Sequence, residues 1–586
     1  MRPRSLLPAA LALAALAAPA PASAAPPAPF GHDCAPKDGV LFCPTTDDAA
    51  RVPAFDGVPL DVDVTMPATG DGPFPTIAMI HGFGGSKSDF ENATSDPTYN
   101  AAYYARAGYA VVTATARGFG RSCGVADSRT AGCERGWIHL DDQRYEIRDV
   151  QDLLGRLVDE GIAQPNALGV TGISYGGGAS LMLATLRDRI RNPDGSYSPW
   201  RSPAGQPLSI TAAWPRWPWS DLADALAPNG RILDPTAGAT GYRSPIGVGI
   251  ENWLQTLYAA ALSAGFVAPK GADPGSDLMT WQELVLRGEP YGKDVAAIMD
   301  ELHAHHSSQG LTSAHPSPLL IQAGWTDDLF PVGQTLRAYN RVRAADRNAP
   351  ISLQIGDFGH QRGANHPADR TAFDSGGLAF FDSWLKRGGA GAPKPGAVTA
   401  YTSICPKTAP SGGGPYAAAS FSGLARGSVT IRHAAPQRVT SSGGDASLST
   451  RLAPLRIDQC APVAAHVARS TAIVTTRSPG FTLLGMPRVV ARVAVTGHSA
   501  QLVARLWDVD PTRGSQRLID RGVTRVPASG TLRFTLNGNG WRFPKGHLVK
   551  VELLGRDGPT YRPSSTAFSV TVRDLRVTLP TRERRG

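Results

Sequence analysis

The chain has 586 residues, of which 42% are hydrophobic and 18% are charged. This length exceeds the roughly 100–200 residues of one domain, which excludes a single small binding module, and the apolar content excludes a disordered chain. The formal net charge of +9 comes from dispersed Lys and Arg residues. A solvated basic surface explains that charge better than a nucleic-acid partner, so we predict none.

The first 24 residues have the pattern of an export signal. Arg2 and Arg4 precede an Ala/Leu run from Leu6 to Ala18, and Ala22–Ala24 is a small-residue cleavage site. The apolar run is shorter than the about 20 residues that span a bilayer, and no other uncharged stretch reaches that length. We therefore predict that residues 1–24 are removed and that the mature chain is secreted, without a membrane span.

The six cysteines agree with an oxidising compartment. Sequence alone leaves many pairings open. Four of the cysteines, however, form two pairs that each close a short loop, which leaves the last two for each other. No Cys-x-x-Cys spacing occurs, so disulfides are favoured over a metal site. The predicted disulfides are Cys34–Cys43, Cys123–Cys133 and Cys405–Cys460.

From Val58 to Gly389 the pattern alternates strands with helices. Apolar residues at every second position between Val58 and Met66 predict a half-buried antiparallel strand. Short apolar runs then predict buried parallel strands with helices between them, hence a parallel sheet covered on both faces. The predicted parallel strands are Thr76–Ile80, Tyr109–Ala114, Leu168–Ile173, Ile210–Ala213, Leu319–Ala323 and Ile351–Ile355.

One connection in this α/β region is far too long. About a hundred residues separate Trp214 from Leu319, whereas α/β connections usually have roughly 2–6. We therefore predict an inserted helical cap at about residues 215–315. Residues 387–396 are rich in Gly, Ala and Pro and indicate a linker. After it the period changes to 2 and helical patches vanish, which predicts an all-β sandwich. The predicted domains are an α/β domain at 25–390 and a β-sandwich at 397–586.

The pentapeptide Gly172-Ile173-Ser174-Tyr175-Gly176 follows a predicted strand and opens a helical run. In a G-x-S-x-G nucleophile elbow the turn is so tight that side chains at the glycine positions would clash with the backbone. The pentapeptide alone arises by chance, but the strand–turn–helix setting is the one that the elbow requires. We predict that Ser174 is the nucleophile of an α/β-hydrolase; the alternative is an ordinary helix N-cap serine.

A serine nucleophile needs a base that is oriented by a carboxylate, and in this fold the chain order is Ser, Asp, His. Asp327 and Asp328 both lie where a predicted strand ends. We predict Asp327, the nearer to the strand, as the acid and interpret Asp328 as a solvated loop carboxylate. His360 directly follows the strand Ile351–Ile355 and is the predicted base, with His366 as the alternative.

The oxyanion that forms on a substrate carbonyl needs two backbone N–H donors. One is expected from Tyr175, the residue after the nucleophile, and the other from the loop after the strand Thr76–Ile80. Within that loop, His81-Gly82-Phe83-Gly84-Gly85, we assign the donor to Phe83. Because His81 precedes the serine in the chain, we interpret it as a residue that fixes the backbone rather than as the base.

Two clusters have interpretations that stay open. The first holds three histidines that suggest a metal site, but no carboxylate or cysteine at ligand spacing accompanies them. Cap surface or pocket lining is therefore favoured, and we predict neither metal nor cofactor. The second holds three tryptophans that follow a strand, where pocket lining and core packing are equally plausible. These residues are His303, His305 and His306, and Trp214, Trp217 and Trp219.

With these motifs in this order, the chain resembles the X-Pro dipeptidyl-peptidase / cocaine esterase (CocE/NonD, peptidase S15-like) family of serine hydrolases, over nearly all of its mature length. The resemblance implies an α/β-hydrolase domain with a helical cap, a jelly-roll C-terminal domain, and cofactor-free cleavage of peptide, ester or amide bonds. By position it implies a triad of Ser174, Asp327 and His360. Its further carriers are Gly108–Val112, Arg117–Ser122, Gly324–Asp327, Leu506–Val509 and Phe543–His547.

The sequence departs from the family at one point. Many members have Pro-Tyr after the first central strand, with the tyrosine hydroxyl in the oxyanion hole, whereas Ile80-His81-Gly82-Phe83 stands here. This departure favours a backbone donor at that position. It also means that substrate specificity cannot be carried over from the family.

Three functions are compatible with the sequence. The first is a secreted X-Pro dipeptidyl-peptidase-like serine peptidase; the alternatives are a carboxylic ester hydrolase and a non-catalytic surface-binding protein. A dipeptidyl-peptidase must bind a free N-terminal ammonium through a buried carboxylate near the serine. Acids directly after the catalytic aspartate are missing, since Leu329 and Phe330 stand there. The remaining candidates are Asp221, Asp224, Glu251 and Asp328.

Overall fold

The structure is a computed structural model. It describes residues 27–584 except 93–95, 231–245, 309–314, 361–362, 387–390 and 456–457. The predicted signal segment 1–24 lies outside the described residues, as do part of the cap and the start of the predicted linker. Across these described ranges, no helix combines the length and apolarity needed to cross a bilayer.

Strands and helices alternate in the first part of the chain, as the apolar pattern predicts. The elements are β1 (Ala35–Lys37), β2 (Val40–Cys43), β3 (Val52–Pro53), β4 (Pro59–Leu60), β5 (Val62–Pro67), β6 (Phe74–Ile80), α1 (Ala101–Arg106), β7 (Ala110–Ala114), α2 (Glu146–Asp159), β8 (Ala163–Ile173), α3 (Tyr175–Leu186), β9 (Arg189–Arg191), β10 (Tyr197–Pro199) and β11 (Ile210–Arg216).

The cap follows β11, and the chain then returns to the sheet. The cap helices are α4 (Leu222–Leu226), α5 (Glu251–Ala264), α6 (Leu278–Arg287) and α7 (Lys293–His305). The returning elements are β12 (Leu319–Gly324), α8 (Val332–Ala345), β13 (Ile351–Gly356), α9 (Pro367–Leu385), β14 (Val398–Thr402) and β15 (Gly413–Ala418).

The central sheet has 11 strands in the order β1-β2-β5-β7-β6-β8-β11-β12-β13-β14-β15. Neighbours from β7 to β14 along this order run parallel, and every strand that we predict as parallel is among them. The carboxyl ends of β6, β8, β11, β12 and β13 therefore meet at one edge, where α/β proteins bind ligands.

Two sequence-based expectations about this sheet need correction. β5 is buried along its whole length rather than on one face. Residues 398–418, which we assign to the sandwich from sequence, form β14 and β15 of the central sheet. The crossover through α9 brings β14 back parallel to β13, and the alternating pattern of such edge strands is the same as that of sandwich strands.

The C-terminal region is a sandwich of two antiparallel sheets, one in the order β18-β23-β22-β26-β19 and one centred on β27. Its apolar residues alternate inward and form a core of their own. One short helix, α10, contradicts the expectation that this region contains no helix. The elements are β16 (Gly427–His433), β17 (Gln437–Thr440), α10 (Ala446–Arg451), β18 (Val463–Ala464), β19 (Ala472–Arg477), β20 (Phe481–Gly485), β21 (Arg488–Gly497), β22 (Gln501–Asp510), β23 (Ser515–Arg525), β24 (Gly530–Thr535), β25 (Asn539–Phe543), β26 (Leu548–Leu554) and β27 (Phe568–Thr581).

All three predicted disulfides are formed, Cys34–Cys43, Cys123–Cys133 and Cys405–Cys460. The second closes a loop that supports the cap. Next to this loop, the backbone N–H of Phe266 donates to Gly118 at 2.8 Å, and Ile138 donates back to Phe266 at 2.9 Å.

The sandwich holds the cap from the opposite side. Glu289, which follows α6, accepts a 2.9 Å hydrogen bond from Arg562 and another from Arg525. Asn229 accepts a 2.7 Å bond from the backbone N–H of Arg525, and Gly230 accepts one from Thr535 at 2.9 Å. Both edges of the described cap are thus anchored, one to the hydrolase loops and one to the sandwich.

Candidate active site

Ser174 lies at the bend between β8 and α3, in a backbone conformation that side chains rarely adopt, with φ 59° and ψ −109°. A Cβ at Gly176 would approach the carbonyl oxygen of Ile80 to 1.9 Å, and one at Gly172 would approach that of Gly176 to 2.5 Å. Only glycine fits at these two positions. Such strain costs about 1–3 kcal/mol and is held by the surrounding packing, as at other nucleophile elbows.

The structure brings Ser174, His360 and Asp327 together. Nε2 of His360 lies 2.8 Å from Oγ of Ser174, across 186 residues of chain, and Nδ1 lies 2.7 Å from Oδ2 of Asp327. The other carboxylate oxygen accepts the backbone N–H groups of Leu329 and Phe330 at 2.9 and 2.8 Å. Since Nδ1 donates to the carboxylate, Nε2 is left to accept the serine proton.

The two alternative residues lie elsewhere. Nδ1 of His366 donates to the carbonyl of Ala409 at 2.6 Å, away from the serine. Asp328 is buried rather than solvated, and its Oδ2 lies 3.9 Å from Nε of Arg521 in the sandwich. Asp328 therefore belongs to the interface between the two domains.

Aromatic rings surround the imidazole of His360. The centroids of Phe330, Trp253 and Trp217 lie 5.3, 5.4 and 6.1 Å from that of His360. These rings form an apolar surround on one side of the imidazole, and low polarity strengthens its hydrogen bond to the carboxylate of Asp327.

The three tryptophans in and after β11 have different roles, which the sequence left open. Trp214 is core: its indole N–H donates to Gln354 at 3.1 Å. Trp217 contacts the imidazole of His360, as described above. Trp219 lines the cleft beside Ser174, and its N–H donates to the carbonyl of His306 at 2.7 Å.

The two residues that we predict as oxyanion donors line the same cleft as Ser174. Tyr175 is the first residue of α3, where the backbone N–H groups have no acceptor within the helix and form the positive end of the helix dipole. Phe83 lies in a turn closed by a 2.9 Å bond from Gly85 to Gly82, a bond that does not use the Phe83 N–H. The rings of Phe83 and Tyr175 meet edge to face at 5.5 Å.

His81 fixes the backbone of this loop. Its Nδ1 donates to the carbonyl of Gly82 at 2.7 Å and its Nε2 accepts the N–H of Ala116 at 2.9 Å. Burial lowers the pKa of His81, which keeps the ring neutral as this pair of bonds requires. Its carbonyl accepts the N–H of Gly176 at 2.9 Å and so joins the loop to the elbow.

A cleft of about 980 Å³, part of it open solvent, extends from Ser174 beneath the cap. The described residues that line it carry no charge. We did not predict this wall from the sequence, although each cap helix contributes residues spaced as one helical face. The cap residues of the lining are Leu222 and Leu226 on α4, Leu254, Leu257, Tyr258 and Ala261 on α5, Leu278, Trp281, Gln282 and Val285 on α6, and Ile298, Met299 and Leu302 on α7.

None of the four candidate ammonium-binding carboxylates lines this cleft. Asp221 accepts a 2.7 Å bond from His303; burial opposes ionisation, but this bond and Arg337 lower the pKa of Asp221. Asp224 binds Arg337 and also accepts from Gln334 at 2.9 Å. Glu251 is half-buried at the start of α5, where burial raises its pKa. Asp328 faces the sandwich, as described.

The three histidines at the end of α7 have different surroundings and do not form one cluster. His306 comes close to two carboxylates, Asp142 and Glu301, so that one ligand atom of each lies within 4.8 Å of the others. The sequence spacing did not reveal this group because Asp142 comes from a distant part of the chain. Arg144 hydrogen-bonds both carboxylates, so a metal ion would have to compete with its guanidinium. Burial and the charge of Arg144 lower the pKa of the neighbouring His305 to about 4.

Family models match two segments of this chain. The model of X-Pro dipeptidyl-peptidase (S15 family) matches residues 56–190, and that of the X-Pro dipeptidyl-peptidase C-terminal non-catalytic domain matches residues 479–579. No curated protein sequence matches the chain significantly.

Solved structures share the fold at low sequence identity. An α-amino acid ester hydrolase aligns at 16% identity and TM-score 0.55, over 93% of this chain and 97% of its own. A CocE/NonD family hydrolase from Staphylococcus aureus aligns at 14% and 0.55, over 92% and 94%. An aminopeptidase from a marine sediment archaeon, Thaumarchaeota archaeon, aligns at 14% and 0.57, over 96% and 99%. The common fold is an α/β-hydrolase domain followed by an all-β domain.

Proposed function

Because this chain belongs to the X-Pro dipeptidyl-peptidase / cocaine esterase family of hydrolases, we propose that Ser174, His360 and Asp327 are its catalytic triad. The observation that carries this proposal is the pair of short contacts, 2.8 Å from Ser174 to His360 and 2.7 Å from His360 to Asp327. A base within hydrogen-bond reach of a hydroxyl, itself oriented by a buried carboxylate, can activate that hydroxyl near neutral pH.

The reaction follows from this geometry. Nε2 of His360 takes the proton of Ser174 as Oγ attacks the substrate carbonyl, and the backbone N–H groups of Phe83 and Tyr175 stabilise the oxyanion. The imidazolium returns the proton to the leaving group as the carbonyl–leaving-group bond breaks. A water molecule then attacks the acyl-enzyme; His360 takes one of its protons and gives it to Ser174, which releases the acid.

The substrate that the cleft fits best is an uncharged ester. A dipeptidyl-peptidase needs an acid for the substrate ammonium, and the described lining residues include none, while Asp221, Asp224 and Asp328 are engaged elsewhere. Glu251, the fourth candidate, does not line the cleft, and burial raises its pKa, which disfavours the charged form that an ammonium needs. We therefore favour a carboxylic ester hydrolase over the X-Pro dipeptidyl-peptidase that the sequence first suggested. The name of the matching family supports the peptidase as the second candidate.

A fluorophosphonate probe tests the triad. It should label the wild-type protein and fail to label Ser174→Ala. The matched control is Ser375→Ala, an exposed serine on α9 that should leave labelling unchanged. Absence of labelling in the folded wild type would contradict the enzyme and support the non-catalytic surface-binding alternative.

A substrate panel separates the two chemistries. Short-chain aryl esters and free-amine dipeptide amides are assayed side by side, together with the amine-blocked amides. Ester turnover with little cleavage of the amides supports the esterase. Rapid cleavage of X-Pro amides that is lost when the amine is blocked would establish the peptidase instead.

We infer that the protein acts outside the cell. Three disulfides support an oxidising compartment, and residues 1–24 carry the pattern of an export signal. Sequencing the N-terminus of protein recovered from the culture medium should find a chain that starts after Ala24. Retention of the intact N-terminus inside the cell would contradict export.

A further inference from the structure

The wall of the cleft opposite Ser174 is a continuous apolar surface. On α5 the lining residues follow the spacing i, i+3, i+4 and i+7, and the same spacing recurs on α6. This wall, which we call the cap wall, consists of the residues of α5, α6 and α7 given above for the cleft. Three helices therefore turn one face each toward the same space.

The cap wall is built for contact with something apolar. Leu254, Leu257 and Tyr258 are only partly buried, although their side chains lie on the inner face of α5. When an apolar ligand displaces water from the apolar surface of an open cleft, the free energy of the complex is lowered. A residue on the outer face of the same helix, Leu262, is 54% exposed and does not line the cleft.

The position of the cap wall suits the acyl group of a substrate rather than its leaving group. The leaving group must face His360, which protonates it, and the oxyanion must face Phe83 and Tyr175. The described residues that line the cleft include Ser174, Phe83 and Tyr175 but not His360. The direction that remains for the acyl substituent is therefore the one that leads beneath the cap.

Polar recognition is sparse along this path. The hydroxyl of Tyr175 accepts the N–H of Asp141 at 2.7 Å and lies 3.4 Å from Glu146, so it is already engaged. The N–H of Trp219 is bound to a backbone carbonyl. Among the described cap residues of the lining, Gln282 and Tyr258 alone offer a hydrogen-bonding group outside a tryptophan ring. These two side chains are too few, within the described lining, to compensate the desolvation of a charged or hydroxyl-rich acyl group.

We propose that the cap wall selects esters of medium-chain aliphatic acids, with an acyl chain of about six to ten carbons, because the lining residues of α5 run from Leu254 to Ala261, which is about 10 Å at a rise of about 1.5 Å per residue. This inference rests on the proposed function, since it names the acyl group that Ser174 would accept. An apolar wall recognises such a chain by burial alone, so affinity for the transition state grows with each methylene.

The first test measures kcat/KM for p-nitrophenyl esters from acetyl to decanoyl, with the benzoyl ester as a further arm. The value should rise about fourfold per added methylene up to about eight carbons. A maximum at acetyl, no dependence on chain length, or a preference for benzoyl over every aliphatic ester would overturn the proposal.

The second test fills the cap wall. Leu257→Trp, on the inner face of α5, should lower kcat/KM for the octanoyl ester about tenfold or more and change that for the acetyl ester less than twofold. Leu262→Trp places the same ring on the outer face of the same helix and should change neither. Equal losses for both esters in a Leu257→Trp protein that melts like the wild type would contradict selection by the wall.

Failure of the inference and failure of the proposed function give different results. If chain length has no effect while Ser174→Ala abolishes both ester turnover and fluorophosphonate labelling, the triad stands and the acyl preference is wrong. If the wild type hydrolyses no ester and is not labelled, the proposed function is wrong and the inference fails with it.

Discussion

The two sides of the cleft are built in different ways. One side consists of the loops after parallel strands, where Ser174 has a strained backbone and Asp327 has both carboxylate oxygens occupied. The other side consists of cap helices whose inner faces are apolar and partly exposed to the cleft. Hydrogen bonds of defined length hold the first side, whereas packing and distant ion pairs hold the second.

This difference separates the reaction from its selectivity. Changes on the strand side should affect every substrate alike, because they alter proton transfer and charge stabilisation. Changes on the cap side should discriminate between substrates, because they alter how much apolar surface a given acyl group buries. The following predictions test that division, from the largest expected effect to the smallest.

The largest effect is expected for Asp327→Asn. The amide oxygen should stay on the N–H groups of Leu329 and Phe330, which turns the NH2 donor toward Nδ1, so the imidazole adopts the wrong tautomer and kcat should fall about 10⁴-fold. The loss should be the same for acetyl and octanoyl esters. Asp328→Asn, which alters the neighbouring carboxylate at the sandwich interface, is the control and should lower kcat far less. Comparable losses in the two variants would mean that the acid has been assigned to the wrong aspartate.

The next effect concerns the anchor between cap and sandwich. Glu289→Gln leaves the buried guanidinium groups of Arg525 and Arg562 without their counter-charge, which should cost about 3–5 kcal/mol of stability. We expect a lower denaturant midpoint and a larger rise in KM for the octanoyl than for the acetyl ester. Glu283→Gln removes an exposed pair with Lys270 and should leave the midpoint unchanged. A wild-type midpoint in Glu289→Gln would show that the cap does not depend on the sandwich.

The smallest effect is expected at Glu91, a half-buried carboxyl that belongs to neither side of the cleft. Burial and the nearby charge of Asp63 raise the pKa of Glu91 to about 7, while Thr113 donates a 2.9 Å bond to it. A raised pKa means that the folded protein holds this proton more tightly. Protonated Glu91 therefore makes its whole contribution to the stability of the folded protein below about pH 4.5. This contribution is lost as the pH rises through about 7.

Glu91→Gln keeps the shape of the protonated side chain and removes this dependence. The variant should match the wild type at pH 4.5 and exceed its stability by about 1–3 kcal/mol at pH 8, as measured by denaturant midpoints. The values of kcat/KM for both esters should stay unchanged. A variant that is less stable than the wild type at pH 8 would contradict the raised pKa.

The strand side of the cleft was largely predictable from sequence. Local patterns mark it: Gly172 and Gly176 flank Ser174, and Asp327 and His360 each follow an apolar run that forms a strand. A parallel sheet places the ends of such strands at one edge, so a short-range pattern predicts a long-range contact.

The cap side was not predictable in the same way. The helical spacing of Leu254, Leu257 and Ala261 is visible in the sequence, but an apolar helix face does not say which partner it packs against. The anchor of Glu289 to Arg525 joins residues 236 apart, and charged residues of this kind are common on surfaces. The placement of β14 and β15 in the central sheet was missed for a related reason. Tertiary contacts decide which strands pair, and a local sequence pattern does not reveal them.

The cap begins and ends on adjacent strands of the sheet. Ala213 on β11 pairs with Leu319 on β12, and Arg216 pairs with Gln322, in parallel register, so the insertion leaves at the carboxyl end of β11 and returns to the amino end of its neighbour β12. A protein engineer can therefore treat the insertion as an exchangeable cassette, because replacing it does not require the register of either strand to change. A transplanted cap also needs an acidic residue at the position of Glu289, because otherwise its contact with the arginines of the sandwich is lost. Evolution has the same route to new substrates while the hydrolytic apparatus is inherited intact.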